Sequence, residues 1–245
     1  MGSSEQLDDE RERSGTAVST VSLARVLPAI LASIPAEDHQ LAERTLIVPL
    51  VTAQDVDLAE VIGTQIPAAF GFLVVDGVVL KETSLERRSA LELLGPGDVL
   101  APPLTAVHQL ESRAVSRYLA HGMVSLGAIE AHFRQSAHRW PGIADFLHDR
   151  LGRQTHRASM HLAMLHLPRV EDRVLALFAD LGERFGRVTS DGVEIDLPLN
   201  HEVIGGLVGG RRPTVTIALK KLAANGLLER LGDHRWKLAR GIVSA

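Results

Sequence analysis

The chain lacks cysteine altogether and is poor in aromatic residues, which make up 4% of its 245 positions. The absence of cysteine excludes disulfides, thiolate zinc sites, cysteine nucleophiles and cysteine-ligated iron–sulfur clusters. No apolar run is long enough to cross a bilayer, and the polar residues 1–20 contain no apolar signal-peptide core. We therefore expect a cytoplasmic protein with a disordered N-terminus and no membrane partner.

The usual catalytic motifs are also missing. The sequence contains no nucleophile elbow, Walker loop, dinucleotide-binding glycine pattern or zinc-protease helix motif, so we do not expect an enzyme. No metal ligand set stands out, and we expect no cofactor. Hydrophobic residues make up 45% of the chain and charged residues 23%, which is the composition of a globular protein.

The charges are unevenly distributed. The formal net charge of the chain is −4, yet residues 205–240 contain eight basic side chains and only two acidic ones. A cationic C-terminal region on an acidic body is typical of a module that binds phosphate groups, and it indicates nucleic acid as a partner. Chance clustering on a solvated surface is the alternative, which charge alone does not exclude.

The N-terminal half has the pattern of short antiparallel strands. Asp76-Gly77 between two apolar runs predicts a hairpin, and Gly95-Pro96-Gly97-Asp98 predicts a second turn. Many short strands with regular turns favour a barrel or roll. The runs that predict strands are Thr45–Val51, Phe70–Val75, Val78–Leu80, Ser89–Leu94 and Val115–Leu119.

Two helices are predicted next, a shorter one near Leu126–Ser136 and a long one from Ile143 to Leu167. The long helix has a narrow apolar seam whose members lie three, four or seven residues apart, namely Leu147, Leu151, Ala158, Leu162 and Leu165. Such a seam suits pairing with the same helix of a second copy. From periodicity alone, packing against its own domain is an equally good interpretation.

The C-terminal region contains a short helix, a glycine turn and a second short helix. Asn200 is a suitable N-cap for a helix over His201–Val208, and Gly209-Gly210 allows a tight turn. A second helix begins near Arg212 with Pro213 in its first turn. Its buried stripe is Val215, Ala218, Leu219 and Leu222. This layout is that of a helix-turn-helix, whose second helix enters the major groove of DNA.

The predicted second helix exposes the chemistry that DNA recognition requires. A guanidinium at its start can bind guanine or phosphate, and hydroxyls can reach phosphates or base edges. A hairpin around Gly232-Asp233 forms a wing that can touch the DNA backbone. The candidate DNA-binding residues are Asn200, Arg211, Arg212, Thr214, Thr216, Ile217, Lys220, Lys221 and Arg235.

This part of the chain resembles the Crp/Fnr superfamily, the cyclic-AMP receptor protein and its relatives. The resemblance rests on Leu197-Pro-Leu-Asn-His-Glu, Leu207-Val-Gly, Arg212-Pro-Thr-Val and Asn225-Gly-Leu-Leu. It implies a homodimer that binds double-stranded DNA at two-fold symmetric operators, with RNA polymerase as a candidate partner. In that family the residue matching Arg212 contacts DNA. Ile217 stands where a second contact, often arginine, is found, and it can instead touch a thymine methyl.

A weaker resemblance covers the N-terminal half, where Phe70–Val79 and Leu93–Leu100 are similar to the β-roll of a cyclic-nucleotide-binding domain. The glycine and glutamate of that family's phosphate cassette are replaced within Leu100-Ala101-Pro102-Pro103. Arg113 lies near the place of the phosphate-binding arginine and is the candidate effector residue. Because proline also removes N–H donors, ordinary cyclic-AMP binding is not expected, and the effector is unknown.

Together these observations predict an α+β protein in four parts. They are a disordered N-terminus at 1–20, a β-roll at 21–140, a dimerisation helix at 141–167 and a winged helix-turn-helix at 168–245. The predicted function is sequence-specific transcription regulation. The alternative is a small-molecule or nucleotide sensor whose winged helix contacts another protein.

Overall fold

A computed structural model describes residues 17–66, 69–86, 88–101 and 114–242. The chain divides into two compact units, residues 1–88 with 92–155 and residues 89–91 with 156–245. The division at residue 155 lies within the long helix rather than at either of its ends. Within the described ranges, no helix combines the length and the apolar character needed to span a bilayer.

The first unit is built on an antiparallel sheet. Its strands are β1 (Ala17–Ser22), β2 (Ile47–Gln54), β3 (Gly71–Leu85), β4 (Arg88–Leu94), β5 (Val99–Leu100) and β6 (Ala114–Ile129). Its helices are α1 (Leu23–Val26), α2 (His39–Thr45), α3 (Leu58–Gln65) and α4 (Ala131–Ala137), with 3₁₀ turns at Pro28–Ser33 and Ala36–Asp38. Helix α5 (Gly142–Leu165) begins in this unit and ends in the second.

The strand order in the sheet is β1-β2-β6-β3-β4, with β5 paired to β3. The pairings of β2 with β1 and β6, and of β3 with β5 and β6, are antiparallel. One apolar core joins the sheet to Leu58 of α3, and another joins it to Phe133 of α4 and Ile143 of α5. The predicted antiparallel roll is confirmed.

The prediction of a hairpin at Asp76-Gly77 is wrong. Strand β3 continues through both residues and pairs with β6 along its whole length, with register shifts on either side of Asp76. Gly77 has a φ of +80°, and a Cβ there would lie 2.2 Å from the carbonyl oxygen of Met123. The glycine therefore serves a bulge within a long strand, where positive φ and close backbone approach are both required.

Two further predictions are corrected at the ends of β1 and β6. Residues 17–20, which the sequence assigns to a disordered N-terminus, pair with β2, whereas residues 1–16 lie outside the described part of the chain. The helix expected from Leu126 begins only at Ala131, because Leu126 lies in β6 opposite Val51 and Val74. Sheet pairing on both sides overrides the local helical pattern there.

The second unit is a small α+β domain. It contains α6 (Val170–Phe185), β7 (Gly186–Val188), β8 (Gly192–Asp196), α7 (His201–Val208), α8 (Arg212–Ala224), β9 (Leu228–Arg230) and β10 (Arg235–Ala239). The strands form a sheet in the order β7-β8-β10-β9. The rings of Phe178 from α6 and Trp236 from β10 are buried with centroids 4.9 Å apart, so the sheet packs on α6.

Candidate nucleic-acid interface

Helix α7 has well-defined ends. The Asn200 Oδ1 atom accepts hydrogen bonds from the backbone N–H groups of Glu202 and Val203, both at 2.9 Å. Gly209 adopts the left-handed conformation with a φ of +60°, and the Gly210 N–H donates to the Gly205 carbonyl at 2.8 Å. The predicted cap and turn are confirmed, and they fix where the next helix starts.

Arg173 of α6 stabilises the turn between α7 and the next helix by hydrogen bonds to backbone carbonyls. Its guanidinium Nη1 donates to the carbonyl oxygen of Val208 at 3.0 Å, and its Nε donates to the carbonyl of Leu167 at 2.9 Å. Two chain segments that end helices are therefore tied to α6 by one side chain. The contact of Arg173 with this turn could not be predicted from the sequence, because a basic residue on an amphipathic helix gives no local indication of a distant carbonyl partner.

Helix α8 is mounted on the domain by one apolar stripe. Val215, Ala218, Leu219 and Leu222 are buried, as the periodicity predicts. The opposite face begins at the N-cap Arg211, and Pro213 lies in the first turn. The predicted DNA-binding residues that the structure leaves exposed on this helix and its cap are Arg211, Arg212, Thr214, Ile217, Lys220 and Lys221. The start of α8 is thus a cationic surface that stands free of the domain core.

Besides the capping Asn200, two of the predicted DNA-binding side chains are already hydrogen-bonded within the domain. The Lys221 Nζ lies 2.6 Å from Glu171 Oε1 of α6, and this hydrogen bond holds the pKa of Glu171 below its usual value. Thr216 is half-buried, and its hydroxyl donates to the Arg212 carbonyl oxygen at 3.0 Å. The DNA contacts of Lys221 and Thr216 stay predictions, and each requires an existing bond to yield or to be shared.

The predicted wing is present as the β9–β10 hairpin. Arg230 folds over its loop, where Nε donates to the Gly232 carbonyl at 2.9 Å and Nη2 to the Asp233 carbonyl at 3.0 Å. Arg235, at the start of β10, is exposed. Both arginines of the wing are therefore exposed, and Arg230 is in addition hydrogen-bonded to its own loop.

Only part of the predicted apolar seam of α5 is exposed. Leu147 is half-buried and packs against the core of the first unit, next to Ile143 and Phe146, so its place in the dimer face stays a prediction. The first turns of the helix cover their own domain and leave no exposed seam there. Farther along, Leu151 is 46% exposed and Leu162 is 62% exposed. Ala158 and Leu165 are half-buried.

The candidate effector residue Arg113 lies outside the described residues, as do Pro102 and Pro103. The turn before them is described, and the Asp98 carboxylate there accepts a hydrogen bond from the Gly95 N–H at 2.9 Å. Leu100 pairs with Phe72 and is buried in the apolar core. In the described ranges, no group of three or more His, Asp or Glu side chains is placed to hold a metal ion.

Comparison with known proteins assigns the second unit to a class. A sequence profile described as the Crp-like helix-turn-helix domain matches residues 172–239. The regulatory protein CysR of Synechococcus elongatus is 32% identical over 146 residues, which cover 58% of this chain and 62% of CysR. The match thus spans somewhat less than two thirds of the length of that relative.

Solved structures support the same class at the level of the fold. A cyclic nucleotide-binding domain containing protein from Listeria monocytogenes superposes with a TM-score of 0.66 at 16% identity, over 91% of this chain and all of that one. FixK2 from Bradyrhizobium japonicum gives 0.59 at 20% identity, over 80% of this chain and 97% of its own. Residues 172–239 are a Crp-like helix-turn-helix domain. The predicted resemblance of this segment to the helix-turn-helix domain of Crp-like proteins is confirmed.

Proposed function

We propose that the protein is a transcription regulator that binds two-fold symmetric DNA operators as a homodimer and is not an enzyme. The observation that carries this proposal is the exposed cationic start of α8, held on a buried apolar stripe. The capped α7 and the glycine turn set its direction. This arrangement places the first turns of α8 where a recognition helix meets base edges in the major groove.

Four exposed side chains of α8 and its cap have a role in this proposal. Arg212 suits guanine, whose O6 and N7 accept a bidentate guanidinium. Ile217 is 57% exposed on an otherwise polar face, which suits the methyl group of thymine. Arg211 and Lys220 flank these two residues and suit backbone phosphates. The half-site therefore combines a guanine with a thymine, read from adjacent turns of one helix.

The homodimer is supported by α5. Leu151 and Leu162 lie eleven residues apart along a 24-residue helix, and both are exposed in the single chain. A helix of this length with exposed leucines on one side suits pairing with a second copy. Pairing related by a two-fold axis would give two recognition helices, as a palindromic operator requires.

Control by ordinary cyclic AMP is not part of the proposal. Leu100 occupies the start of the stretch that corresponds to the family's phosphate cassette, and its side chain is 1% exposed within the apolar core. A buried leucine offers no group to a phosphate or a ribose. Any effector of the β-roll acts through other residues, by shifting the population of DNA-binding dimers.

The proposal is tested by selecting genomic fragments that the protein retains and measuring affinity for the selected duplex. Arg212→Ala should weaken binding by about 1–3 kcal/mol, because a base contact is lost. Arg187→Ala is the matched control, since Arg187 is exposed in the same unit but lies on β7 and pairs with Glu194. The control should bind as the wild type does.

The assignment of α8 as the recognition helix fails if Arg212→Ala and Arg187→Ala bind the selected duplex equally well. If the wild-type protein retains no fragment over bulk DNA, the DNA-binding function itself fails. That second result would favour the alternative in which the winged helix contacts a protein.

A further inference from the structure

A cavity of about 330 Å³ lies beside the recognition helix and is lined by residues of three elements. Arg212 comes from the start of α8, Arg230 from β9, and Asn200, His201 and Glu202 from the start of α7. Two guanidinium groups and an imidazole thus surround the space, with one carboxylate among them. Since Arg212 is proposed to bind guanine, Arg230 and a protonated His201 are the groups left here to bind a singly charged phosphate of the DNA backbone.

The hydrogen bonds around His201 bear on which of its two ring nitrogens carries the proton. Thr216 Oγ1 donates its only hydrogen to the Arg212 carbonyl oxygen at 3.0 Å. The same oxygen lies 2.9 Å from His201 Nδ1, and it has only lone pairs left for that contact. With the hydroxyl hydrogen on the Arg212 carbonyl, Nδ1 is the donor. In the neutral ring, Nε2 then carries a lone pair and no hydrogen.

This tautomer determines how His201 meets a phosphate. A neutral ring offers the anion a lone pair, which repels it, whereas a ring protonated on Nε2 offers a charged N–H donor. We propose that His201 is a proton-linked phosphate contact: each protomer takes up a proton at His201 Nε2 when DNA enters this cavity. The inference rests on the proposed DNA-binding function and deepens it, because it makes operator affinity depend on pH.

The charges around His201 set the direction of this dependence. In the free protein, burial and the positive charges of Arg230 and Arg212 lower the pKa of His201 below its ordinary value of about 6.5. Glu202 on α7 is the carboxylate beside the cavity, Arg211 caps α8, and the wing loop after Arg230 carries Asp233 and His234. A bound phosphate adds a negative charge at the ring, which raises the pKa of His201 in the complex.

The direction in which affinity changes with pH follows from the pKa of His201 in the free protein and in the DNA complex. Between the lowered pKa of the free protein and the raised pKa of the complex, binding takes up a proton, so affinity falls as the pH rises. Below the first value and above the second, His201 contributes no slope. Within the window, each protomer contributes up to about tenfold in affinity per pH unit.

The test measures affinity for the selected duplex between roughly pH 5.5 and 8 at fixed salt, the range in which histidine titrates. His201→Gln should still bind but lose the slope, because an amide donates a hydrogen bond at every pH. His132→Gln is the matched control, since His132 is an exposed histidine on α4 of the first unit and is not a predicted DNA-binding residue, and it should keep the slope. Thermal unfolding without DNA shows whether each variant is folded.

Thr216→Val provides a second measurement that does not alter the histidine. Without the hydroxyl, the neutral ring is free to move its proton to Nε2. Because Thr216 is itself a predicted DNA contact, the readout of this variant is its pH slope, which should be smaller than that of the wild type, and not its absolute affinity. A wild-type slope in His201→Gln, its loss in His132→Gln, or an unchanged slope in Thr216→Val would overturn the inference while DNA binding stands. Failure of the wild-type protein to bind any duplex at any of these pH values would overturn both.

Discussion

At the scale of single residues, Ile217 makes the proposed recognition helix distinctive. Its neighbours on the exposed face of α8 are basic or hydroxyl-bearing, and only Ile217 among the described residues of that face is a large aliphatic side chain. An exposed isoleucine gains nothing from water, but it gains from burial against a thymine methyl. We therefore expect one position of each half-site to be read through a methyl group rather than through a hydrogen bond.

Replacing thymine by uracil at that position tests this expectation, because uracil lacks only the methyl group. The substitution should cost the wild-type protein about 0.8 kcal/mol per half-site, the value of one buried methyl or methylene group. Ile217→Ala should bind thymine and uracil duplexes equally well. Anisotropy titrations of both proteins with both duplexes form a double-mutant cycle. An equal loss in both proteins would assign the methyl to another side chain.

The sequence predicts those parts of the candidate site that depend only on residues close together in the chain. The periodicity of α8 alone places Val215 and Leu219 inside and Arg212 and Ile217 outside, and the structure agrees. What periodicity does not contain is the partner of an exposed polar group. The pairing of Lys221 with Glu171 spans fifty residues, and the bond between His201 and Thr216 joins two helices. Both depend on packing angles that no local pattern encodes.

At the scale of elements, the turn between α7 and α8 depends on Gly205. A Cβ at this position would lie 2.7 Å from the carbonyl oxygen of Gly210, which is backbone and cannot move aside freely. We expect Gly205→Ala to destabilise the domain by about 1–3 kcal/mol, the usual cost of overpacking. Because the same contact sets the start of α8, DNA affinity should fall as well.

Urea unfolding followed by tryptophan fluorescence measures this effect. The chain has two tryptophans, so a Trp140→Phe background leaves Trp236, which is buried in the second unit, as the reporter. Gly232→Ala in the same background is the control, since a Cβ there has no neighbouring atom within 4 Å. Equal midpoints for the two variants would show that the turn tolerates a methyl group.

The elements of the second unit follow their sequence patterns more closely than those of the first. Helix α7 and the start of α8 coincide with the predicted bounds, because a cap, a glycine pair and a proline mark them locally. In the first unit, Asp76-Gly77 has the local sequence of a turn but lies inside β3. Its neighbour in space is Met123, which is far away in the chain, so the bulge cannot be seen without the sheet.

At the scale of the whole molecule, the proposed function requires two copies, and α5 is the surface that we propose to join them. Its first turns are buried on their own unit through Ile143 and Phe146, whereas Leu151 and Leu162 remain exposed. From periodicity alone, pairing with a second copy and packing against its own domain were equally good interpretations of the apolar seam of α5. In the structure, Leu147 packs against its own unit, whereas Leu151 and Leu162 are free to pair with a second copy.

Leu162→Glu tests the dimer directly. A dimer that buries Leu162 from both copies gains about 1.5 kcal/mol or more from each side chain, so losing both should weaken association about a hundredfold or more. Sedimentation velocity over a concentration series measures this change. His156→Glu introduces the same charge at an exposed position outside the predicted seam and should leave the dimer intact. Because a monomer can occupy only one half-site, Leu162→Glu should also lose the preference for a palindromic over a half-site duplex. A variant that stays dimeric and keeps that preference would place the two-fold axis on another surface.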